Sequence, residues 1–447
     1  MHDLTSLSLL AAVDKSGIDS GDTAWMLVAT ALVLMMTPAL GLFYAGLVRA
    51  KNALNTFMMS LGAMAVVSIT WVAVAYSLAF DKGNGFIGDL HNVFLKDVTN
   101  GPRVGLHIPE LLFVAFQASF CIITVALISG AVVERMRFGA FLAFAALWAC
   151  LVYAPMAHWV WSSGGWLAQR HVMDFAGGVP VEMASGFSAL AAAVVVGARK
   201  DFGRQASLPH NGIYALLGAG LLWFGWFGFN AGSALTTGAQ APLAFINTLL
   251  APAATLSTWM LIDYLRGRKA TAIGAATAIV VGAVGITPAA GFVGPMSAIL
   301  LGALAALPAY ALIVWRPRTR LDETLDVLAA HGLAGFTGIL FIGFFAQASW
   351  NLTGDGLLFG NPIQLGRQAL AAAAAPVYAF CGTFVLLKLM SLVGRIRVNE
   401  RDEGQGLDVS QHGEEAYTHG EGAILLHPEH AFDIEHAVAK YSFPDAG

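Results

Sequence analysis

The chain has 447 residues, of which 57% are hydrophobic and only 12% charged, with a formal net charge of -4. Soluble domains carry about 25% charged residues, so the composition excludes an ordinary soluble enzyme and specifies a polytopic membrane protein. The small negative charge also argues against a nucleic-acid partner, which needs a basic surface.

A spanning helix needs about 20 largely apolar residues. Eleven such runs occur, near 24–47, 55–80, 109–133, 138–160, 175–198, 210–232, 240–265, 271–289, 291–315, 328–350 and 367–393. The expected fold is therefore all-α, an eleven-helix membrane domain over 24–393. Residues 1–23 precede it as an extracytoplasmic segment with one basic residue, Lys15, and an apolar run too weak for a signal peptide. Thr37-Pro38, Gly291 and Pro308 fall within or between spans, where neighbouring helices can satisfy freed backbone groups. The one long loop, about 81–108, mixes Asp81, Lys82, Asp89, Lys96 and Asp97 with glycines.

Basic residues set the orientation. With the N-terminus outside, the inward loops hold thirteen Lys and Arg, from Arg49 and Lys51 to Arg316, Arg318 and Arg320, against six in the outward segments. The expectation is N-out and C-in, with the Arg395/Arg397/Arg401 tail in the cytoplasm. Eleven helices divide as five, five and one, and inverted repeats of this kind place a transport site at their interface. The repeat is inferred from topology, because the halves share no convincing sequence identity.

Helix 5 begins with Asp174-Phe-Ala-Gly-Gly and carries Glu182; helix 10 begins after Asp326 and carries His331. Corresponding helices of the two halves thus hold the most intrusive ionisable residues of the spans. A carboxylate at membrane depth costs roughly 3 kcal/mol, so it is expected to face a cavity or a partner. Glu182 lies roughly 12 Å along its helix from Asp174. His331 sits among Gly332, Gly335 and Gly338, which permit close helix approach. Asp174 and Asp326 each read equally as helix caps or as groups that attract a cation. Aromatic rings beside small polar residues recur at Phe116-Gln-Ala-Ser-Phe120, Trp161-Ser-Ser and Trp223-Phe-Gly-Trp226-Phe-Gly-Phe229-Asn-Ala-Gly-Ser233, a combination suited to a small cation. Cys121, Cys150 and Cys381 sit in apolar runs without CxxC spacing and read as buried small hydrophobes. The tail, 394–447, contains His412, His419, His427, His430 and His436 at irregular spacing. It reads as a solvated regulatory tail, and neither a metal nor a cofactor is expected.

Several motifs are specific: Phe43-Tyr-Ala-Gly-Leu-Val-Arg-Ala-Lys-Asn52, Ala115-Phe-Gln-Ala-Ser-Phe120, Asp174-Phe-Ala-Gly-Gly178, Pro209-His-Asn211, Gly225-Trp-Phe-Gly-Phe-Asn-Ala-Gly-Ser233, Gly285-Ile-Thr-Pro288 and Gly406-Leu-Asp-Val-Ser-Gln-His-Gly413. Through them the chain resembles the Amt/Mep/Rh ammonium transporter family, on its Amt/Mep side, from about Trp25 to about Tyr417. The resemblance implies a homotrimer in the cell membrane, with a narrow hydrophobic pore for ammonium in each subunit and methylammonium as an analogue. It implies that Phe116, Phe120, Trp161 and Ser233 recruit ammonium, supported by Asp174 without direct contact. Phe120 and Phe229 correspond to the gate, and Trp226 and Thr287 to the pore wall. A PII signal protein is an implied partner at the cytoplasmic face. One departure stands out. Most of the family has a histidine at the Glu182 position, paired with the one at His331; glutamate is a minority variant found in some fungal members. A twin-histidine relay therefore does not transfer as it stands, and Glu182 with His331 becomes the expected proton relay.

Three alternatives compete with a transporter. An ammonium sensor would bind the ion but move little of it. An Rh-type channel would pass neutral ammonia, although Trp161 and the Gly-Leu-Asp tail motif favour the Amt side. A membrane enzyme using Glu182 and His331 as acid and base lacks a metal cluster, a nucleophile motif or a phosphate loop.

Overall fold

The computed structural model of the protein describes residues 17–204 and 208–417. The expected histidines at 419, 427, 430 and 436, and Lys15, lie outside the described residues. Within them the chain is all-α, with two isolated β-bridges, Pro102 to Pro109 and Met136 to Arg397, and no longer strand. Among the described residues ten helices are long and apolar enough to cross a membrane. They are α1 (Ser20–Leu47), α2 (Ala50–Phe80), α3 (Glu110–Val132), α4 (Phe138–Trp161), α5 (Gly178–Val196), α6 (Gly212–Ala231), α7 (Gln240–Leu265), α9 (Pro295–Arg318), α10 (Leu328–Phe345) and α11 (Pro362–Val393).

The eleventh apolar run forms the shorter helix α8 (Ala272–Ile286), of 15 residues. At 1.5 Å per residue it covers about 22 Å, less than a bilayer core of about 30 Å. It ends at Ile286, two residues before Pro288, which has no N–H to continue the ladder. The chain turns through 287–294, and Pro295 opens α9 at its first position. Pro38, Pro252, Pro308 and Pro376 lie inside α1, α7, α9 and α11.

Helix packing repeats with a period of five. α1 packs on α2 and α3 as α6 packs on α7 and α8. α2 packs on α4 as α7 on α9, and α3 on α5 as α8 on α10. The halves meet where α1 packs on α6 and α5 on α10. The second junction is very tight. A Cβ added at Gly186 of α5 would fall on the backbone of Gly332 in α10, and one at Gly335 on the Cβ of Glu182. Only glycine allows this approach, so these two positions fix how close the polar residues of α5 and α10 come.

One cysteine differs from expectation. Cys121 is buried and Cys150 half-buried, but Cys381 is exposed on the outer face of α11. An apolar run says that a helix enters lipid, not which face looks inward.

Candidate functional site

α5 starts at a built turn. Gly177 has φ +113°, a conformation that strains any residue with a Cβ. It directs three backbone N–H groups at the Asp174 carboxylate: Gly177 at 2.9 Å, and Gly178 and Val179 at 2.7 Å each. Asp174 is thus the helix cap and is buried. Pro180 falls in the first turn, where its missing N–H leaves nothing unpaired. Beside this turn lies an aromatic cluster. The rings of Phe120 and Phe229 have centroids 4.1 Å apart and planes inclined by 30°. Phe116 packs against Phe120 at 4.8 Å, and Trp161 meets Phe120 edge-on at 5.9 Å. The Trp161 indole donates to the Asp174 carbonyl at 3.3 Å. The Ser233 hydroxyl donates to the Phe229 carbonyl at 2.8 Å, which leaves its oxygen able to accept. The sequence-predicted recruitment and gate residues Phe116, Phe120, Trp161, Asp174, Phe229 and Ser233 are therefore in one place.

Deeper in the bundle, Glu182 and His331 meet. Nδ1 of His331 lies 2.9 Å from Oε2 of Glu182, and both side chains are almost fully buried. Each sits on a π-helical turn, Gly178–Met183 and Leu328–Leu333, at the same place in its half of the chain. Such wide turns break the regular ladder and recur at functional sites. Among the described residues Oε1 of Glu182 is buried without a partner at hydrogen-bond geometry, the neighbouring Thr287 hydroxyl being turned to the Ala283 carbonyl. A buried polar atom left open requires an explanation, and a visiting N–H donor supplies one. On the neighbouring wall the Trp226 indole donates to the Thr287 hydroxyl at 2.9 Å, and Thr287 donates to Ala283. A carboxylate bonded to an imidazole can share one proton, and either group can accept or release it.

Asp326 departs from the capping role that was open to it. It takes φ 58°, and its carboxylate pairs with Arg316 at 2.7 Å. Glu323 caps α10 instead, accepting from Val327 at 2.9 Å and Leu328 at 3.3 Å. Burial and the nearby Asp326 charge push the Glu323 carboxyl up to about 7.

The opposite, basic end of the bundle holds a group that the sequence reading missed. Glu134 is fully buried and pairs with Arg49 at 3.0 Å and Arg199 at 2.7 Å. Asn52 donates to it at 3.0 Å, and Arg199 also pairs with Asp322 at 2.8 Å. A cavity of about 360 Å³ beside it is lined by Arg49, Arg199 and Arg316 with Asp201 and Asp326. Counting Lys and Arg for orientation passed over Glu134 and Asp322, whose only sequence signal is an acid set among basic loop residues. Asn52 also accepts from the Leu407 backbone, and Asp408 accepts from Leu54 and Asn55 at the start of α2. The tail helices α12 (Glu400–Gln405) and α13 (Leu407–His412) are thereby fastened to the same network. His412 packs on Phe138 and approaches Asn55 at 3.1 Å.

Burial raises the Glu134 carboxyl, but the Arg199 and Arg49 guanidiniums outweigh it and hold it below its usual range. Its contribution is therefore present above 4.5, the ordinary glutamate value, and is lost as pH falls through the lower folded value. Glu134→Ala should destabilise the protein by about 3 kcal/mol at pH 7, because two cations then lose their buried partner. Thermal unfolding in detergent should show a gap from wild type that narrows once pH drops below 4.5. A gap that widens in acid contradicts this reading.

Comparison with known proteins places the fold in a family. Residues 24–417 match the family model described as Ammonium Transporter Family. An ammonium transporter of Bacillus subtilis (strain 168) is 46% identical over 400 residues, spanning 89% of this chain and 98% of that protein. The crystal structure of Candida albicans Mep2 aligns with a TM-score of 0.82 at 35% identity, covering 87% of this chain and 89% of its own. A structure described as a sensor Amt protein aligns with a TM-score of 0.80 at 29% identity, covering 88% of this chain and 98% of its own. On these matches, which run over nearly the whole multi-pass helical domain, the chain belongs to the ammonium transporter family.

Proposed function

We propose that this protein carries ammonium across a cell membrane through a pore of its own, with the Glu182–His331 pair as the proton relay inside it. The observation that carries the relay is a buried carboxylate–imidazole pair with one carboxylate oxygen left open, set below stacked rings in membrane-spanning helices. Bare ammonium crosses an apolar tube only at high desolvation cost. The acceptor face of Ser233 and the rings of Phe116 and Trp161 suit capture of the cation at the outer end. Trp226 and Thr287 form part of the pore wall. Ammonia released from its proton passes between Phe120 and Phe229. The proton passes through Glu182 and His331, so charge moves with the substrate. Asp174 acts without touching substrate, by holding the start of α5.

In the membrane the eleven helices adopt an N-out, C-in arrangement of two inverted five-helix halves plus α11, with α8 completing its crossing through the 287–294 turn. The protein acts as a homotrimer, and the basic end with the docked tail is the cytoplasmic face where a PII protein binds. A pull-down with the host's PII protein at varied ATP and 2-oxoglutarate tests that partner, and no binding under any condition removes it.

Proteoliposomes containing the purified chain should take up labelled methylammonium, in competition with ammonium and not with potassium. Binding without uptake would favour a sensor instead, the description attached to one of the similar structures. Ser233→Ala should raise the half-saturating ammonium concentration by about tenfold, the value of one hydrogen bond to a charged group. Uptake titrations check this, and an unchanged half-saturation removes Ser233 from the capture site.

A further inference from the structure

A groove on the outer surface of the bundle lies apart from the pore and reaches the docked tail at one end. It runs between α4 and α11 and encloses about 640 Å³. Its membrane-facing part is wholly apolar, lined by Ala140, Ala143 and Leu147 on α4 and by Leu386, Leu389 and Met390 on α11. Leu147 and Leu389 are about half exposed. Small residues on α4 keep the groove open, and a Cβ added at Gly139 or Gly394 would meet nothing within 4 Å.

The basic end of the groove has a different chemistry. Arg137, just before α4, and Arg395, just after α11, both line it and both are exposed. Neither guanidinium has an ion pair, hydrogen bond or ring contact with the described residues, whereas nearby Arg135 and Arg397 are both engaged. Two uncompensated cations at the mouth of an apolar slot between membrane helices match an anionic headgroup above acyl chains. We propose that this groove binds an anionic glycerophospholipid, with its phosphate between Arg137 and Arg395 and an acyl chain along Ala143 and Leu389.

The position also links the lipid to the tail. Arg137 donates its backbone N–H to Ile396 at 3.0 Å, and Gln411 of α13 accepts from Phe138 at 3.1 Å. Ile396 and Gln411 both line the groove. A headgroup bridging the two arginines therefore closes over the strap that joins α11 to the tail helices, and lipid occupancy reinforces tail docking.

The test is native mass spectrometry of the full-length protein in detergent, titrated with phosphatidylglycerol or phosphatidylcholine. Each basic residue near an anionic surface contributes about fivefold. Wild type should retain phosphatidylglycerol preferentially, and R137Q/R395Q should lose about thirtyfold in its apparent affinity. The backbone pairing at Arg137 does not use its side chain, so the double variant retains that bond. Should it nonetheless fold poorly, a photoactivatable phosphatidylglycerol on wild type replaces it, with labelling expected on peptides spanning 137–147 and 386–396. Equal retention of the two lipids, an unaltered affinity in the double variant, or labelling confined to other peptides overturns the proposal. Cross-linking of this groove to a second copy of the chain, with no lipid label, also overturns it.

Discussion

His331→Ala should reduce ammonium uptake per folded molecule by at least about a hundredfold. The substitution removes the 2.9 Å bond from His331 to the buried Glu182 carboxylate and leaves it only the neighbouring Thr287 hydroxyl, which is itself turned to the Ala283 carbonyl. Breaking a buried pair from one side costs about 3–5 kcal/mol, because the remaining charge is uncompensated. The carboxyl can escape that cost only by keeping its proton, and a carboxyl that keeps its proton cannot relay one. His331→Gln separates the two effects. Its amide can still bond to Glu182 but cannot titrate, so this variant should fold with near-normal yield and remain just as poor in transport. Uptake normalised to the monodisperse fraction measures both. Transport within twofold of wild type in His331→Gln contradicts a role in proton transfer.

Asp174→Ala should produce the largest loss of stability near the aromatic cluster. Three backbone N–H groups lose their acceptor together, and each buried donor left unpaired costs about 1–3 kcal/mol. The start of α5 then loosens, and Glu182, two turns further along, loses its fixed position. Asp174→Asn keeps one oxygen and should fall between wild type and Ala, since its amide faces one of the three donors. Thermal unfolding of the purified variants, followed by size-exclusion fluorescence, reads the order wild type, Asn, Ala. An Ala variant as stable as wild type would falsify the capping role.

The helix positions were legible because lipid imposes a length rule, and an apolar run of about 20 residues has few alternatives. Ends shifted by several residues where polar caps extended a helix into the interface, as Asp19 does by accepting from Asp22 before α1. α8 fell short because the chain turns after Ile286, inside the apolar run 271–289, and hydropathy does not register a turn made of apolar residues. Glu182 and His331 stood out because a charge in a span is costly, which implied that each faces a cavity or a partner; their contact came into view only with the folded bundle. An acid before two glycines left Asp174 open between a cap and a cation-attracting group, and the three backbone N–H groups gathered on its carboxylate show the cap. The same logic did not distinguish Asp326 from Glu323, because a left-handed φ at a non-glycine residue leaves no mark in the sequence. Glu134 escaped for another reason: its partners Arg49 and Arg199 lie 85 and 65 residues away in the chain, and only the folded bundle gathers them. The exposure of Cys381 was hidden because the middle of α11 is apolar on both its buried and its exposed faces.

The relay rests most directly on the carboxylate of Glu182. Glu182→Gln replaces a proton-accepting group with an amide of nearly the same shape that can still bond to His331. Ammonium-evoked current, recorded on a solid-supported membrane from proteoliposomes of equal protein content, should fall at least about tenfold against wild type. An undiminished current in Glu182→Gln would contradict the relay, leaving the pair as a packing element of the pore and the charge to cross by another route.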